Sequence, residues 1–191
     1  MGGSRTVKTL AVLFVAMTLG ALALMLLETE PVRPAPAALE VVSSPPAGAA
    51  QLISQTLTPL QTDKWRSVIL HAARDESANP ARECHFVVAP DGIGGWRISP
   101  TDHWMRQEPG QHVEGVWKNN SVGVCLIGDF SRTPPKAGQF ELLVQLVNAL
   151  QETCRVQADH VYLLSDIDPR NPSPGAAFPA AKLSERLLRP L

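Results

Sequence analysis

The chain has 191 residues, with 17 Lys+Arg, 18 Asp+Glu and a formal net charge of −1. This balance gives no strongly basic surface, so we expect no nucleic-acid partner. Apolar residues make up 45% of the chain, which excludes wholesale disorder, and the length suits one domain better than two. Three cysteines are too few for a disulfide scaffold and leave at least one thiol unpaired within the chain.

The N-terminal segment has the charge order of an export sequence. Arg5 and Lys8 precede an apolar run over 10–27, and the first acidic residue of the chain, Glu28, follows it. This order predicts that residues 1–27 are a signal anchor or a signal peptide. As an anchor, residues 10–27 would contact the membrane and place the rest of the chain outside the cytoplasm, in a single-pass arrangement. If the leader is cleaved instead, the protein would be secreted or periplasmic.

Residues 28–50 are rich in Pro and Ala, with Ser and Gly among them. Such a composition buries little apolar surface and predicts an extended linker. The folded domain is then expected over 51–191.

Within that domain, short apolar runs alternate with helical patterns. Strands are predicted at Ser67–Leu70, ending at His71, and also at 85–88, 121–127 and 161–164. A helix is predicted after Thr133-Pro134-Pro135, because apolar residues recur on one helical face. Those residues are Phe140, Leu143, Val144, Val147 and Leu150. A Pro-rich loop over 166–179 and a short helix over 181–188 complete an α/β domain.

Four segments occur in an order that resembles a known family. They read VILHAA, CHFVVAPDG, GQHVEGVWKNNSVGVCLIGDF and SPGAAFP. The order is similar to that of the type 2 N-acetylmuramoyl-L-alanine amidases, a superfamily that includes the peptidoglycan recognition proteins, and it covers roughly Trp65 to Leu183. The resemblance implies a mixed central β-sheet flanked by helices.

The resemblance also implies a chemistry. Members of this family cleave the amide between the muramic lactyl group and the first L-alanine of the stem peptide. Their zinc ion, held by two histidines and a cysteine, polarises the carbonyl and activates a water molecule. A tyrosine and a further polar residue stabilise the oxyanion or move protons.

Only one of the five site positions is retained in this sequence. His71 stands where the first zinc histidine stands, whereas the other two ligand positions hold Ser165 and Ser173. The tyrosine position holds Cys84, and the polar position holds Asn171. A serine hydroxyl is a poor zinc ligand at neutral pH, and one imidazole alone does not hold zinc. We therefore expect no cofactor, or zinc if other donors rebuild the site, and whether the chain is an enzyme stays open.

The vacated positions have alternative interpretations. A rebuilt ligand set of His71, Cys84 and Asp166 is conceivable, while His71 could equally be a histidine retained for packing. Asp166 and Asp168 could act as an acid–base pair, although loop capping is the commoner use of such residues. Cys125 lies in an apolar strand and is predicted to be core.

The cysteines and the cleft wall leave further possibilities open. A Cys84–Cys125 or Cys84–Cys154 disulfide is possible outside the cell, because connectivity cannot be deduced from sequence. Four residues are candidates for the substrate cleft, three of them on the loop that borders the cleft in the family and one for stacking on sugars. They are His112, Trp117, Asn120 and Trp96.

Three functions follow from these expectations. The first is a membrane-tethered, amidase-like domain that has lost catalysis and binds peptidoglycan, a muropeptide or a cell-wall partner. The second is an active amidase with a rebuilt metal site. The third is a structural or assembly domain that reuses the fold.

Overall fold

Five strands form one mixed sheet in the order β3-β2-β4-β1-β5. The structure is a computed structural model and describes residues 47–189. The strands are β1 Ser67–Ala73, β2 Phe86–Pro90, β3 Trp96–Pro100, β4 Ser121–Ile127 and β5 Val161–Leu163. All neighbouring strands run parallel except β2 and β3, which form an antiparallel pair.

Helices and short turns connect these strands. The α-helices are α1 Ala47–Ser54, α2 Asp102–Arg106, α3 Ala137–Cys154, α4 Leu164–Ile167 and α5 Ala180–Arg186. Short 3₁₀ turns lie at Glu76–Ala78, Pro80–Arg82, Gly115–Trp117 and Ala158–His160. The predicted α/β architecture, a mixed sheet flanked by helices, is thus confirmed.

The sheet is covered on one face by the long helix α3. The five apolar residues predicted to share one helical face are all buried there, among side chains from the central strands. Burying each large aliphatic side chain stabilises the fold by about 1.5–3 kcal/mol. Gln139 adds a polar link, since its buried amide nitrogen lies 2.9 Å from the carbonyl oxygen of Ile127 at the end of β4.

Several element boundaries differ from those predicted. Strand β1 continues two residues past His71, and β3 was not predicted at all. The first helix begins at Ala47, inside the range predicted for the linker, because Ala49 and Ile53 bury their side chains in the core.

Part of the predicted organisation lies outside the described residues. The signal or anchor segment 1–27, its apolar run 10–27 and most of the linker fall there. Among residues 47–189, no helix has the length and apolar character needed to cross a membrane.

Candidate functional site

The sheet face opposite α3 carries a buried group of three donor side chains. His71 on β1 and Cys125 on β4 are direct neighbours in the parallel register, so their side chains point to the same face. Cys84, just before β2, packs on that face beside Cys125. Its sulfur contacts His71 Nε2. The donor atoms of these residues, here called the His71 cluster, lie within 4.8 Å of one another.

Burial keeps two members of the His71 cluster, His71 and Cys84, uncharged at neutral pH. It lowers the pKa of His71 to about 4, an effect only partly offset by a backbone hydrogen bond with Ala72. Burial also raises the pKa of the Cys84 thiol well above its ordinary value, and the neighbouring Cys125 raises it further. At neutral pH His71 is therefore a neutral imidazole and Cys84 a neutral thiol.

Ser165 and Ser173 lie together beside the end of β1. The N–H of Ser165 donates to the carbonyl oxygen of Ser173, at 2.9 Å. The hydroxyl oxygen of Ser173 accepts a hydrogen bond of 2.8 Å from the N–H of Ala72. Ala72 directly follows His71 in β1. The structure therefore brings the two serines together and seats Ser173 next to β1.

Gly175 holds the Ser173 loop against the end of β4. Its φ of +128° is strained for other residues, and a Cβ at this position would lie 2.5 Å from the carbonyl oxygen of Phe130. The N–H of Ala177 donates to that same oxygen, at 2.9 Å. The close approach permitted by glycine thus fixes where Ser173 sits.

A second histidine, His112, lies flat against the sheet. A Cβ on Gly123 would be 2.5 Å from its ring, so only glycine allows this packing. Its Nε2 lies 2.9 Å from the hydroxyl of Ser121. Burial, with a smaller contribution from the nearby His71, lowers the pKa of His112 to about 4. His112 is thus a buried neutral residue whose ring is held in place by β4.

Two cavities flank this region and share Asn171. One, of about 490 Å³, is lined by His112, Trp117 and Arg170 among others, and we call it the His112 cavity. The other, of about 330 Å³, is lined by Arg74 and Ser173 among others, and we call it the Ser173 cavity. A cavity beside His103 is as large as the first, so chemistry rather than volume singles out this region.

The remaining cleft candidates are placed differently. Asn120 directs its amide nitrogen toward the carbonyl oxygen of Trp117, at 3.2 Å, and so supports its own loop. Trp96 lies on β3, the edge strand farthest from β1 and β5, and packs against Gly138 of α3. Neither residue lines the two cavities.

The acidic residues of the 166–168 segment cap the chain locally. Asp166 accepts from the N–H of Leu163, at 2.8 Å, at the start of α4. Asp168 accepts from the N–H of Arg170, at 3.1 Å, and pairs with its guanidinium. The conceivable ligand set with Asp166 is therefore wrong, because the third donor beside His71 and Cys84 is Cys125.

The three cysteines are free thiols on two sides of the sheet. Cys84 and Cys125 share the face opposite α3, whereas Cys154 belongs to the core beneath α3. A Cys84–Cys154 disulfide therefore does not fit this fold.

Comparison with known proteins agrees with the geometry. A family model described as N-acetylmuramoyl-L-alanine amidase matches residues 53–176, which is more than half of the chain. The chain belongs to this amidase family. No curated protein matches the sequence.

Solved amidases share the fold at low sequence identity. The endolysin amidase LysCS of Clostridium intestinale aligns with a TM-score of 0.53 and 20% identity, over 68% of this chain and 88% of that one. AmpDh3 of Pseudomonas aeruginosa, solved with an anhydromuramic pentapeptide, aligns with a TM-score of 0.54 and 22% identity, over 70% of this chain and 64% of that one. AmiD of E. coli, solved with an anhydro-N-acetylmuramic acid peptide, aligns with a TM-score of 0.53 and 18% identity, over 64% of this chain and 57% of that one. This chain thus spans less than two thirds of the last two proteins.

The family's zinc ion does not fit the residues at its ligand positions. His71 supplies the only strong donor, since Ser165 and Ser173 offer neutral hydroxyls. The Ser173 hydroxyl already accepts a hydrogen bond from the backbone of β1. The His71 ring nitrogen is engaged with Cys84 rather than with either serine.

Sequence reasoning missed the part that Cys125 plays. Cys125 is a core residue, as predicted, but its place beside His71 depends on the register between β1 and β4. A signal for the His112 packing was present, since an isolated glycine in a strand, here Gly123, indicates a close approach. Arg74 and Arg170, which line the cavities, were also overlooked.

Proposed function

We propose that this protein is a catalytically inactive amidase-family member that binds peptidoglycan or a muropeptide without cleaving it. The observation that carries the proposal is the position of Ser165 and Ser173, whose backbones are joined by a hydrogen bond beside the strand of His71. A catalytic zinc needs three protein donors and one open position. His71, Ser165 and Ser173 together offer only one strong donor, the imidazole of His71.

The two cavities supply the groups that would recognise such a ligand. Trp117 presents an apolar ring edge-on to Tyr162, at 5.1 Å between ring centroids, and lines the His112 cavity. Arg74 is exposed in the Ser173 cavity and makes no ion pair with any residue in 47–189. A stem peptide carries carboxylates, which suit a guanidinium without a direct ion pair, although Asp129 of the same cavity and Asp75 already interact with Arg74 at longer range. The muropeptide-type ligands of AmpDh3 and AmiD are of this chemical class.

An active amidase would need a different donor set in the same place. The His71 cluster has three donors, but His71 is only 5% exposed and both thiols are 0% exposed. A buried cluster leaves no position for the water and the amide that hydrolysis requires. The active alternative is therefore not favoured.

The binding test uses the full-length protein in mild detergent with insoluble peptidoglycan and with a soluble muropeptide. We expect sedimentation with the cell wall and saturable muropeptide binding. Arg74→Ala should weaken binding roughly tenfold, the equivalent of ~1.4 kcal/mol. Arg106→Ala, an exposed arginine outside both cavities, is the matched control and should bind like the wild type. A protein that stays in the supernatant at low and moderate salt would instead indicate a structural or assembly domain.

We further propose that residues 10–27 tether the protein to the cell membrane with the domain outside the cytoplasm. Their apolar character and the preceding Arg5 and Lys8 support this placement. The tether predicts full-length protein in the washed membrane fraction, accessible to an externally added protease. A shorter mature form in the soluble extracytoplasmic fraction would show that the leader is cleaved.

A further inference from the structure

The His71 cluster joins three elements that are separate in sequence. His71 comes from β1, Cys125 from β4 and Cys84 from the segment before β2. Their donor atoms lie within 4.8 Å of one another, and the cluster is buried in the sheet face opposite α3. The fold therefore assembles two thiols and an imidazole at one point.

This donor set has the chemistry of a soft metal site. Thiol and imidazole ligands bind Zn²⁺ and Cu⁺ well, whereas Mg²⁺ and Ca²⁺ prefer oxygen donors. Metal–sulfur bonds of about 2.3 Å and metal–nitrogen bonds of about 2.0 Å place two ligands of one ion roughly 4 Å apart. The cluster is close to that size and needs little movement to close on an ion.

We propose that His71, Cys84 and Cys125 bind one thiophilic metal ion, Zn²⁺ or Cu⁺, as a structural staple between β1, β4 and the segment before β2. Both thiols release their protons to solvent when the metal binds. Two thiolates neutralise Zn²⁺ fully, which suits a buried site, but Zn²⁺ also needs a fourth ligand that these three donors do not supply. Cu⁺ suits the number of donors instead, since it accepts three soft ligands.

The site is distinct from the family's catalytic position. It shares His71 but replaces the ligands at 165 and 173 with Cys84 and Cys125, which lie on different elements. Within residues 47–189 no further His, Cys, Asp or Glu joins the cluster. The proposal is independent of ligand binding in the cavities, so either can fail without the other.

The direct test is metal loading of the reduced, full-length protein in mild detergent. Zn²⁺ is added in one arm and Cu⁺, under anaerobic conditions, in the other, and weakly bound metal is removed by a competing chelator. We expect one equivalent of at least one ion to be retained, with X-ray absorption showing two sulfur ligands and one nitrogen ligand. Retention of neither ion, or a first shell of oxygen and nitrogen alone, would overturn the proposal.

Cysteine variants provide the matched comparison. Cys84→Ala and Cys125→Ala should each lower metal affinity more than about 100-fold, because each removes a ligand. Cys154→Ala removes another buried thiol, from the other side of the sheet, and should retain the metal. Unchanged affinity in the first two variants would overturn the site.

A measurement on the wild-type protein tests the site even if the cysteine variants fail to fold. One equivalent of bound metal should raise the thermal unfolding midpoint of the wild type, and removing the metal with a chelator should reverse that shift. A protein isolated with a Cys84–Cys125 disulfide that, once reduced, retains no metal would refute the proposal.

Discussion

Acid should destabilise this domain through its buried histidines, and His112 gives the clearest case. Burial lowers its pKa from 6.5 to about 4 in the folded state. The unfolded chain therefore binds a proton as the pH falls through about 6.5, while the native state resists protonation until about pH 4. The contribution of His112 to stability is complete above about pH 6.5. It is lost progressively as the pH falls from about 6.5 to about 4.

The size of the effect follows from the shift. At about 1.4 kcal/mol per pKa unit, this pKa difference corresponds to on the order of 3 kcal/mol. His71, whose pKa is also lowered to about 4, should add a similar loss. Together these losses come to about 6 kcal/mol, which is as large as the whole stability of a domain at the lower end of the ~5–15 kcal/mol range.

The assay is denaturant unfolding of wild type and His112→Asn at a series of pH values from about 7.5 to 4.5. Asparagine does not titrate, so the fall in unfolding free energy over this range should be about 2–3 kcal/mol smaller in the variant. His160→Asn, which changes an exposed histidine, is the control and should leave the fall unchanged. Equal slopes for wild type and His112→Asn would refute the reasoning.

Two further predictions concern the sheet face that carries the site. Gly123→Ala places a methyl group 2.5 Å from the histidine ring above it, and should lower the unfolding free energy by about 1–3 kcal/mol in denaturant titrations. Combining Cys84→Tyr, Ser165→His and Ser173→Cys restores the family's ligand set around His71. That triple variant should bind one zinc ion, measured by metal analysis after dialysis, and adding His71→Ala should abolish the binding.

Each of these predictions has a contrary outcome. Gly48→Ala has open space around its new Cβ and lies in helix α1, so it should be neutral or stabilising by up to about 1 kcal/mol. If it costs as much as Gly123→Ala, the packing argument is wrong. A triple variant that folds but binds no zinc would show that Ser165 and Ser173 do not occupy the family's ligand positions.

The sequence predicted most accurately the elements that are buried on both sides. Strand β4 has the predicted limits of Ser121 and Ile127, because all seven of its residues are buried and most of them are apolar. Strand β3 was missed because it lies at the sheet edge, where Arg97 is exposed and Ser99 and Pro100 are half-buried. Edge strands carry a weak hydrophobic pattern and tolerate proline.

The candidate site was only partly predictable for a different reason. Motif order and spacing place Ser165 and Ser173 relative to His71, because those positions follow strand ends in a known order. The cluster partner Cys125 depends on strand register, which pairs residues 54 positions apart along the chain. A single sequence does not encode such a pairing in any local pattern.

We propose that this amidase-family domain binds its ligand without hydrolysing it. The most direct test incubates the zinc-supplemented full-length protein with a muropeptide and follows the products by mass spectrometry, with a catalytically active family amidase in parallel. The account predicts an intact muropeptide, retained by the protein at equilibrium. Release of the free stem peptide, at a rate that depends on His71, would contradict it.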